Sequence, residues 1–272
     1  MNTDTGQPQP IIEVSHLVTH YGHRKILDDV SLSVREGEVL VIMGGSGSGK
    51  STLLRYMLAL ERPTSGSIRI LGVDVNQASA MELTRLRKHM GVAFQGGALF
   101  SSMTVGENIT LPLREHTDLD PVTIQIMSRL KLEVVDLAGF EDLMPAELSG
   151  GMIKRAALAR AVVMDPKMLF CDEPSAGLDP VIAAALDELI LRLRDALQMT
   201  IVVVTHELDS AFKIADRIVV LDQGRILTIG SVEEVRSSDN ARVQNLLNRT
   251  LEIDELDPEA YLQRLMGKTK VH

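Results

Sequence analysis

The stretch Gly44-Gly45-Ser46-Gly47-Ser48-Gly49-Lys50-Ser51 decides how this chain is read. It fits the pattern G-x-x-x-x-G-K-[ST] and stands between the apolar run Val39-Leu40-Val41-Ile42 and residues 52–60, which are good helix formers. In such a strand–loop–helix unit the glycines let backbone N–H groups curl around phosphate oxygens, while the helix N-terminus adds positive potential. The Lys50 ammonium reaches the outer phosphates, and the Ser51 hydroxyl can ligate Mg²⁺. Gly44, Gly45, Ser46, Gly47, Ser48, Gly49, Lys50, Ser51 and Thr52 are thus the expected binding segment for a nucleoside triphosphate.

Working outward, Met168-Leu169-Phe170-Cys171-Asp172-Glu173 is an apolar strand ending in two acids, at the sheet edge where ligands of parallel sheets bind. Beside a phosphate loop, Asp172 is the expected Mg²⁺-holding acid and Glu173 the group that polarises the attacking water. Cys171, inside that strand, is a small buried hydrophobe rather than a reactive thiol. Further on, Leu148-Ser149-Gly150-Gly151-Met152 precedes the helix former Ile153-Lys154-Arg155-Ala156-Ala157-Leu158-Ala159-Arg160. A hydroxyl and two glycine N–H groups at a helix start make a second anion site, so a triphosphate can be clamped from two sides.

The rest of the chain supports an α/β core. Ile11-Ile12-Glu13-Val14 and Ser31-Leu32-Ser33-Val34 read as short alternating strands, joined to the first buried strand by a turn at Arg35-Glu36-Gly37-Glu38. Ile201-Val202-Val203-Val204, preceded by a helical stretch over residues 181–197, and Ile218-Val219-Val220-Leu221 read as further buried strands, so the sheet is expected to be parallel. Over residues 100–165 strand signals vanish and helical periodicity takes over, as in an inserted helical subdomain. Residues 1–10 are polar, lack the features of a secretory signal and read as a flexible tail. Residues 241–272 read as a helical extension: Val243, Leu246, Leu247 and Leu251 form one apolar stripe. Asp257-Pro258-Glu259 opens a helix that carries Tyr261, Leu262, Leu265 and Met266 on one face.

Composition removes several classes of function. The chain has 272 residues, 45% of them hydrophobic and 24% charged, which is a folded profile. A net charge of −9 and aromatics at only 3%, with no Trp, argue against nucleic-acid binding and against direct adhesion to anionic lipid. One cysteine permits neither an internal disulfide nor a cysteine-based zinc site. No apolar stretch reaches the length of a membrane span, so a membrane role would come through a partner.

Taken in order, these segments resemble the ATP-binding-cassette (ABC) ATPases, and the resemblance runs to about residue 235. Tyr21-Gly22 is similar to the adenine-stacking aromatic loop, Phe94-Gln95 to the Q-loop, Leu148-Ser149-Gly150-Gly151-Met152 to the signature, Ser175-Ala176-Gly177-Leu178-Asp179 to the D-loop and Thr205-His206 to the switch histidine. The resemblance implies a P-loop core with a parallel sheet, an N-terminal antiparallel β subdomain and an inserted helical subdomain. The ATPase domain would span residues 11–240, with its helical part at about 96–165. It implies a head-to-tail pair of chains in which Lys50, Ser51, Gln95, Asp172, Glu173 and His206 of one copy and Ser149, Gly150 and Gly151 of the other hold each ATP. Tyr21 would lie on the adenine, Gln95 would join Ser51 and Asp172 on Mg²⁺, and Asp179 would contact the site across the interface. One departure is visible: Met152 stands where the signature usually has glutamine.

The segment after Gln95 is where transporter cassettes receive a helix of their membrane partner, so residues 96–116 are expected to meet permease subunits. Gly96-Gly97-Ala98-Leu99-Phe100-Ser101-Ser102-Met103-Thr104-Val105, Leu111-Pro112-Leu113-Arg114-Glu115-His116-Thr117 and Leu143-Met144-Pro145-Ala146-Glu147 are similar to the Mla/Mce-type lipid-transport ATPases. That narrower resemblance implies phospholipid movement between membranes, a peripheral position on the cytoplasmic face of the inner membrane, an Mce-domain lipid-binding partner and a small regulatory subunit. The alternative is the ATPase of an importer for amino acids or another small solute. The plainer reading of Leu99, Phe100, Met103 and Val105 is subdomain core. A chromosome-maintenance cassette would need a long coiled coil between Lys50 and Ser149, and no sustained heptad is present. A GTPase would need an Asn-Lys-x-Asp guanine reader, which does not occur.

Overall fold

The computed structural model describes residues 10–248; residues 1–9 of the tail expected over 1–10, Leu251 and the helix opening at Asp257 lie outside the described residues. The chain opens with β1 (Ile12–Tyr21), β2 (Arg24–Val34) and β3 (Val39–Met43), then α1 (Lys50–Met57), β4 (Ser65–Ile70), β5 (Val73–Asp74), α2 (Ala80–Arg87) and β6 (Met90–Ala93). Helices α3 (Val105–His116), α4 (Pro121–Val134) and α5 (Gly150–Val162) follow, with a 3-10 turn at Pro145–Glu147 before α5. The last part alternates: β7 (Met168–Asp172), α6 (Pro180–Leu197), β8 (Thr200–Thr205), α7 (Leu208–Ile214), β9 (Arg217–Asp222), β10 (Arg225–Gly230), α8 (Val232–Arg236) and α9 (Ala241–Leu247).

Two sheets result. An antiparallel sheet has the order β2-β1-β4-β5, and a six-stranded sheet has the order β10-β9-β3-β8-β7-β6. The six-stranded sheet is parallel from β9 to β6, and β10 closes one edge antiparallel to β9. Its central strands carry continuous apolar runs, residues 39–43, 168–171 and 201–204, because both faces are covered. Val39, Val41, Met43, Leu169, Cys171, Ile201 and Val203 face a core shared with the helices of residues 105–162. Leu40, Ile42, Met168, Phe170, Val202 and Val204 face a second core closed by α1 and the antiparallel sheet.

The register positions the site. Met43 pairs with Thr205, Asp172 with Val204 and Ala93 with Cys171, so β3, β8, β7 and β6 end side by side at one edge. The loops that follow them carry the phosphate motif, His206, Glu173 and Gln95. Three boundaries differ clearly from the sequence expectation, the first being β2, which begins at Arg24 rather than Ser31. The first strand runs on to Tyr21 through an irregularity at His16, whose φ is 50°, and α1 stops at Met57 because Ala59 turns to φ 52°.

Candidate nucleotide-binding site

The phosphate loop is built from the end of β3 and the start of α1. A Cβ on Gly44 would meet the Leu221 carbonyl oxygen at 2.1 Å, so only glycine lets the chain leave the sheet here. Gly49 has φ 105° and sits against Leu27, a conformation and a space that exclude other residues directly before the helix start. Between them Gly45 and Gly47 face open space, and Ser46 and Ser51 are exposed. The first turn of α1 leaves backbone N–H groups without helical partners, as every helix start does, and turns them toward that space.

Lys50 lies under the loop and is buried; its Nζ donates to the Gly44 and Gly45 carbonyl oxygens at 2.8 and 3.0 Å. Burial pulls its ammonium below the ordinary lysine range, while the charges of Glu173 and Asp172 hold it up. The Ser48 hydroxyl is buried and has no hydrogen-bond partner among the described residues. A desolvated cation bonded only to carbonyls, an orphaned hydroxyl and open helix N–H groups together suit a polyanion. A cavity of ≈ 230 Å³ runs from Gly47, Gly49, Lys50 and Thr52 to Tyr21 and Arg24. Tyr21 is 49% exposed and lines the same cavity as Lys50, so its ring is available there.

The acids stand where β7 ends. Asp172 is half-buried, and its carboxyl is pushed above the usual range by desolvation and then by the neighbouring Glu173 charge, against the pull of Lys50 and Lys154. Glu173 is 8% exposed and has φ 48°. For a residue with a Cβ that left-handed conformation costs about 1–2 kcal/mol, so its surroundings must enforce it. They do: its N–H donates to the Val204 carbonyl at 2.8 Å, and its carboxylate accepts from Thr205 Oγ1 at 3.1 Å and from the His206 N–H at 3.4 Å. Its other carboxylate oxygen lies 2.8 Å from His206 Nδ1, and the His206 side chain is 60% exposed. His206 is therefore no core filler: one ring edge is held by Glu173 and the other is open.

The donor set Ser51, Gln95 and Asp172 is all oxygen, from a hydroxyl, an amide and one carboxylate. Mg²⁺ takes few protein oxygens beside substrate phosphates, so this set fits it. Gln95 is exposed, two residues past the end of β6.

Ser149 caps α5, accepting from the Met152 N–H at 3.4 Å, and Gly150 and Gly151 form the first turn. A Cβ on Gly151 would lie 2.8 Å from Ile182, so this helix start abuts the start of α6. Asp179 caps α6, accepting from the N–H groups of Val181 and Ile182, each at 3.1 Å. Lys50, Asp172, Glu173 and His206 thus converge at one sheet edge. Ser149, Gly150, Gly151 and Asp179 form a second group, and among the described residues no hydrogen bond joins that group to the phosphate loop. Sequence reasoning passed over Thr205 as a partner of the Glu173 carboxylate, and Lys154, which is buried on α5 with its ammonium on two backbone carbonyls. The available signal was a lysine among the buried small residues Ala156, Ala157 and Ala159, where a charge must find acceptors.

A phosphate loop on a parallel sheet, with an acid pair and a histidine on the neighbouring strand ends, defines a P-loop nucleoside triphosphatase. Comparison narrows the class: the family described as ABC transporter matches residues 27–176, and the chain belongs to it. It is an ABC ATPase, binding ATP and hydrolysing it for transport. It is 41% identical over 239 residues to the intermembrane phospholipid transport system ATP-binding protein MlaF of Haemophilus influenzae, covering 88% of this chain and 90% of that protein. It is 43% identical over 237 residues to the probable ribonucleotide transport ATP-binding protein mkl of Mycobacterium leprae, covering 87% of this chain and 68% of that protein. Among solved structures it is similar to the dimeric ATP-binding cassette MJ0796 bound to ADP and Pi, with a TM-score of 0.75 and 30% identity over 81% of this chain and 98% of that one. The cbiO1 cassette of Clostridium perfringens aligns with a TM-score of 0.78 and 28% identity over 94% of this chain and 99% of that one. Among the described residues no helix is long and apolar enough to cross a membrane.

Proposed function

We propose that this chain is the ATPase subunit of a transporter that moves phospholipid between membranes, working as a head-to-tail pair on the cytoplasmic face of the inner membrane. The observation that carries the lipid assignment is the match to MlaF, which spans 90% of that protein at 41% identity. In the proposed pair, Lys50, the loop of residues 44–52, Gln95, Asp172, Glu173 and His206 of one copy face Ser149, Gly150 and Gly151 of the other across each ATP. The dimeric MJ0796 cassette supports that arrangement, and the separation of the two groups within one chain accords with it. Ser51, Gln95 and Asp172 would hold Mg²⁺, which when bound neutralises phosphate charge. Glu173 orients and deprotonates the attacking water, His206 holds Glu173 and faces the outer phosphate, and Tyr21 lies against the base. Asp179 caps the helix beside the signature and would meet the partner copy.

The membrane subunits would dock in a groove of ≈ 660 Å³ lined by Phe94, Ala98, Phe100, Leu111, Pro112 and Met164. Phe94 and Phe100 are 44% and 52% exposed in it, whereas Val105 is fully buried and Leu99 packs on the core. The plain core reading therefore holds for Val105 and Leu99 and fails for Phe100. An Mce-domain lipid binder and a small regulatory subunit complete the proposed assembly. Residues 11–240 are the proposed ATPase domain, with 241–272 as its extension.

The mkl relative favours a second reading, transport of a small solute. Isolation of the tagged chain from its native membranes in mild detergent, with mass spectrometry of what accompanies it, separates the two. A multispanning permease, an Mce-domain protein and enriched phospholipid support the lipid reading. A permease with a solute-binding protein and no lipid enrichment refutes it.

A further inference from the structure

Lys154 lies in the first half of α5, the helix whose start carries Ser149, Gly150 and Gly151, and is buried. Its ammonium meets no carboxylate within ion-pair distance among the described residues; its Nζ donates to the backbone carbonyls of Gln95 and Glu173, the latter at 3.1 Å. Ala93, Ala157, Pro174 and Leu186 pack around its side chain, and the charges of Glu173 and Asp172 act on its ammonium from beyond ion-pair distance. A charge held this way is a poor device for stability, since an apolar side chain of similar size would fill the space without the desolvation cost.

Its acceptors make it informative. Glu173 occupies a strained left-handed conformation, at φ 48°, that must be enforced from outside. Val204 fixes its N–H, Thr205 and His206 fix its carboxylate, and Lys154 at 3.1 Å and the Ala176 N–H at 3.3 Å hold its carbonyl, Lys154 being the one side chain of α5 that does so. The same ammonium fixes the peptide after Gln95. Further along α5, Arg160 donates to the Ala98 and Gly97 carbonyls at 2.7 and 2.9 Å, so this helix holds the loop after β6 at residues 95, 97 and 98.

We infer that Lys154 is a positioning residue: it locks the backbones of Gln95 and Glu173 to the signature-bearing helix, setting where the carboxylate of Glu173 stands when that helix engages a nucleotide. The inference rests on the proposed roles of Gln95 and Glu173. It concerns the chemical step rather than ATP binding, because none of the Lys154 contacts involves the phosphate loop.

The test uses the full chain in its intact transporter complex, with Lys154→Met, Lys154→Gln and Lys154→Arg. Lys154→Met is expected to keep the KM for ATP within about twofold while kcat falls about 10- to 100-fold, the loss that follows a misplacement of the reacting group by about 1 Å. It should accumulate an ATP-bound dimer, and Lys154→Arg, which keeps a cationic donor, should recover kcat to within about fivefold of wild type. A folded Lys154→Met with wild-type kcat would overturn the inference. So would an Arg variant no better than the Met variant, with kcat and melting temperature falling together. If Lys154→Met fails to fold, Lys154→Gln is read by the same criteria. A wild-type complex without ATP turnover would instead overturn the functional reading itself.

Discussion

Replacing Glu173 by Gln changes one atom and isolates the proposed base. The amide oxygen can still accept from Thr205 Oγ1 and the His206 N–H, which the carboxylate now meets at 3.1 and 3.4 Å, and the amide NH₂ can face the ring nitrogen that lies 2.8 Å away. The backbone strain at φ 48° is common to both residues, so the fold should be little affected. Removal of the charge acts on three neighbours: Asp172 loses a repulsion that raises its pKa, and Lys50 and Lys154 each lose an attraction that raises theirs. One fewer negative charge near the outer phosphate favours ATP retention. The lost proton acceptor is worth about 10²- to 10⁴-fold, or roughly 3–5 kcal/mol of barrier. Steady-state phosphate release, ATP binding by equilibrium titration and dimer content by sedimentation would be measured on one preparation. The expected result is turnover reduced at least about 100-fold, affinity unchanged or tighter, and an ATP-bound dimer. Turnover within tenfold of wild type with intact folding would refute the assignment of Glu173 as base.

Lys50→Ala removes charge-assisted hydrogen bonds to phosphate worth about 2 kcal/mol, so ATP affinity measured by calorimetry should fall roughly 30-fold or more. Asp172 carries a raised pKa in the fold, chiefly through desolvation, so its ionised form is a stability cost above its folded pKa and none below the ordinary aspartate value of 3.8. Asp172→Asn should therefore raise the melting temperature near neutral pH, by about 2–4 °C per kcal/mol gained, lose that advantage as pH falls toward 4, and abolish turnover. Cys171 is fully buried and its thiol is pushed up to about 12, so a thiol reagent should label it only on unfolding, with labelling following the denaturation curve.

Sequence reasoning located β1 and β2 in part by their alternation, and in the six-stranded sheet it located the strands buried on both faces, because a continuous apolar run such as Val39-Leu40-Val41-Ile42 has one reading beside a phosphate motif. The missed strands lack that signature. In β6, Met90-Gly91-Val92-Ala93, the glycine is demanded by α5, since a Cβ there would lie 2.1 Å from the Ala161 carbonyl. In β10 the side chains are half-exposed on an edge, and β4 begins with three exposed residues. The phosphate loop, both acids and His206 were legible because each is a short local pattern at a strand end. The Lys154 and Thr205 contacts were not, because their partners are fixed by register across β6, β7 and β8, not by spacing along the chain. Exposure of Phe94 and Phe100 beside buried Val105 is likewise set by tertiary packing, which periodicity leaves open.

The claim that ATP hydrolysis here moves phospholipid is tested most directly by reconstituting the chain with its membrane partners in proteoliposomes and following a labelled phospholipid. Movement that requires MgATP and stops with Glu173→Gln is the predicted result. Hydrolysis that proceeds without phospholipid movement, and quickens instead on addition of a small solute, would contradict it.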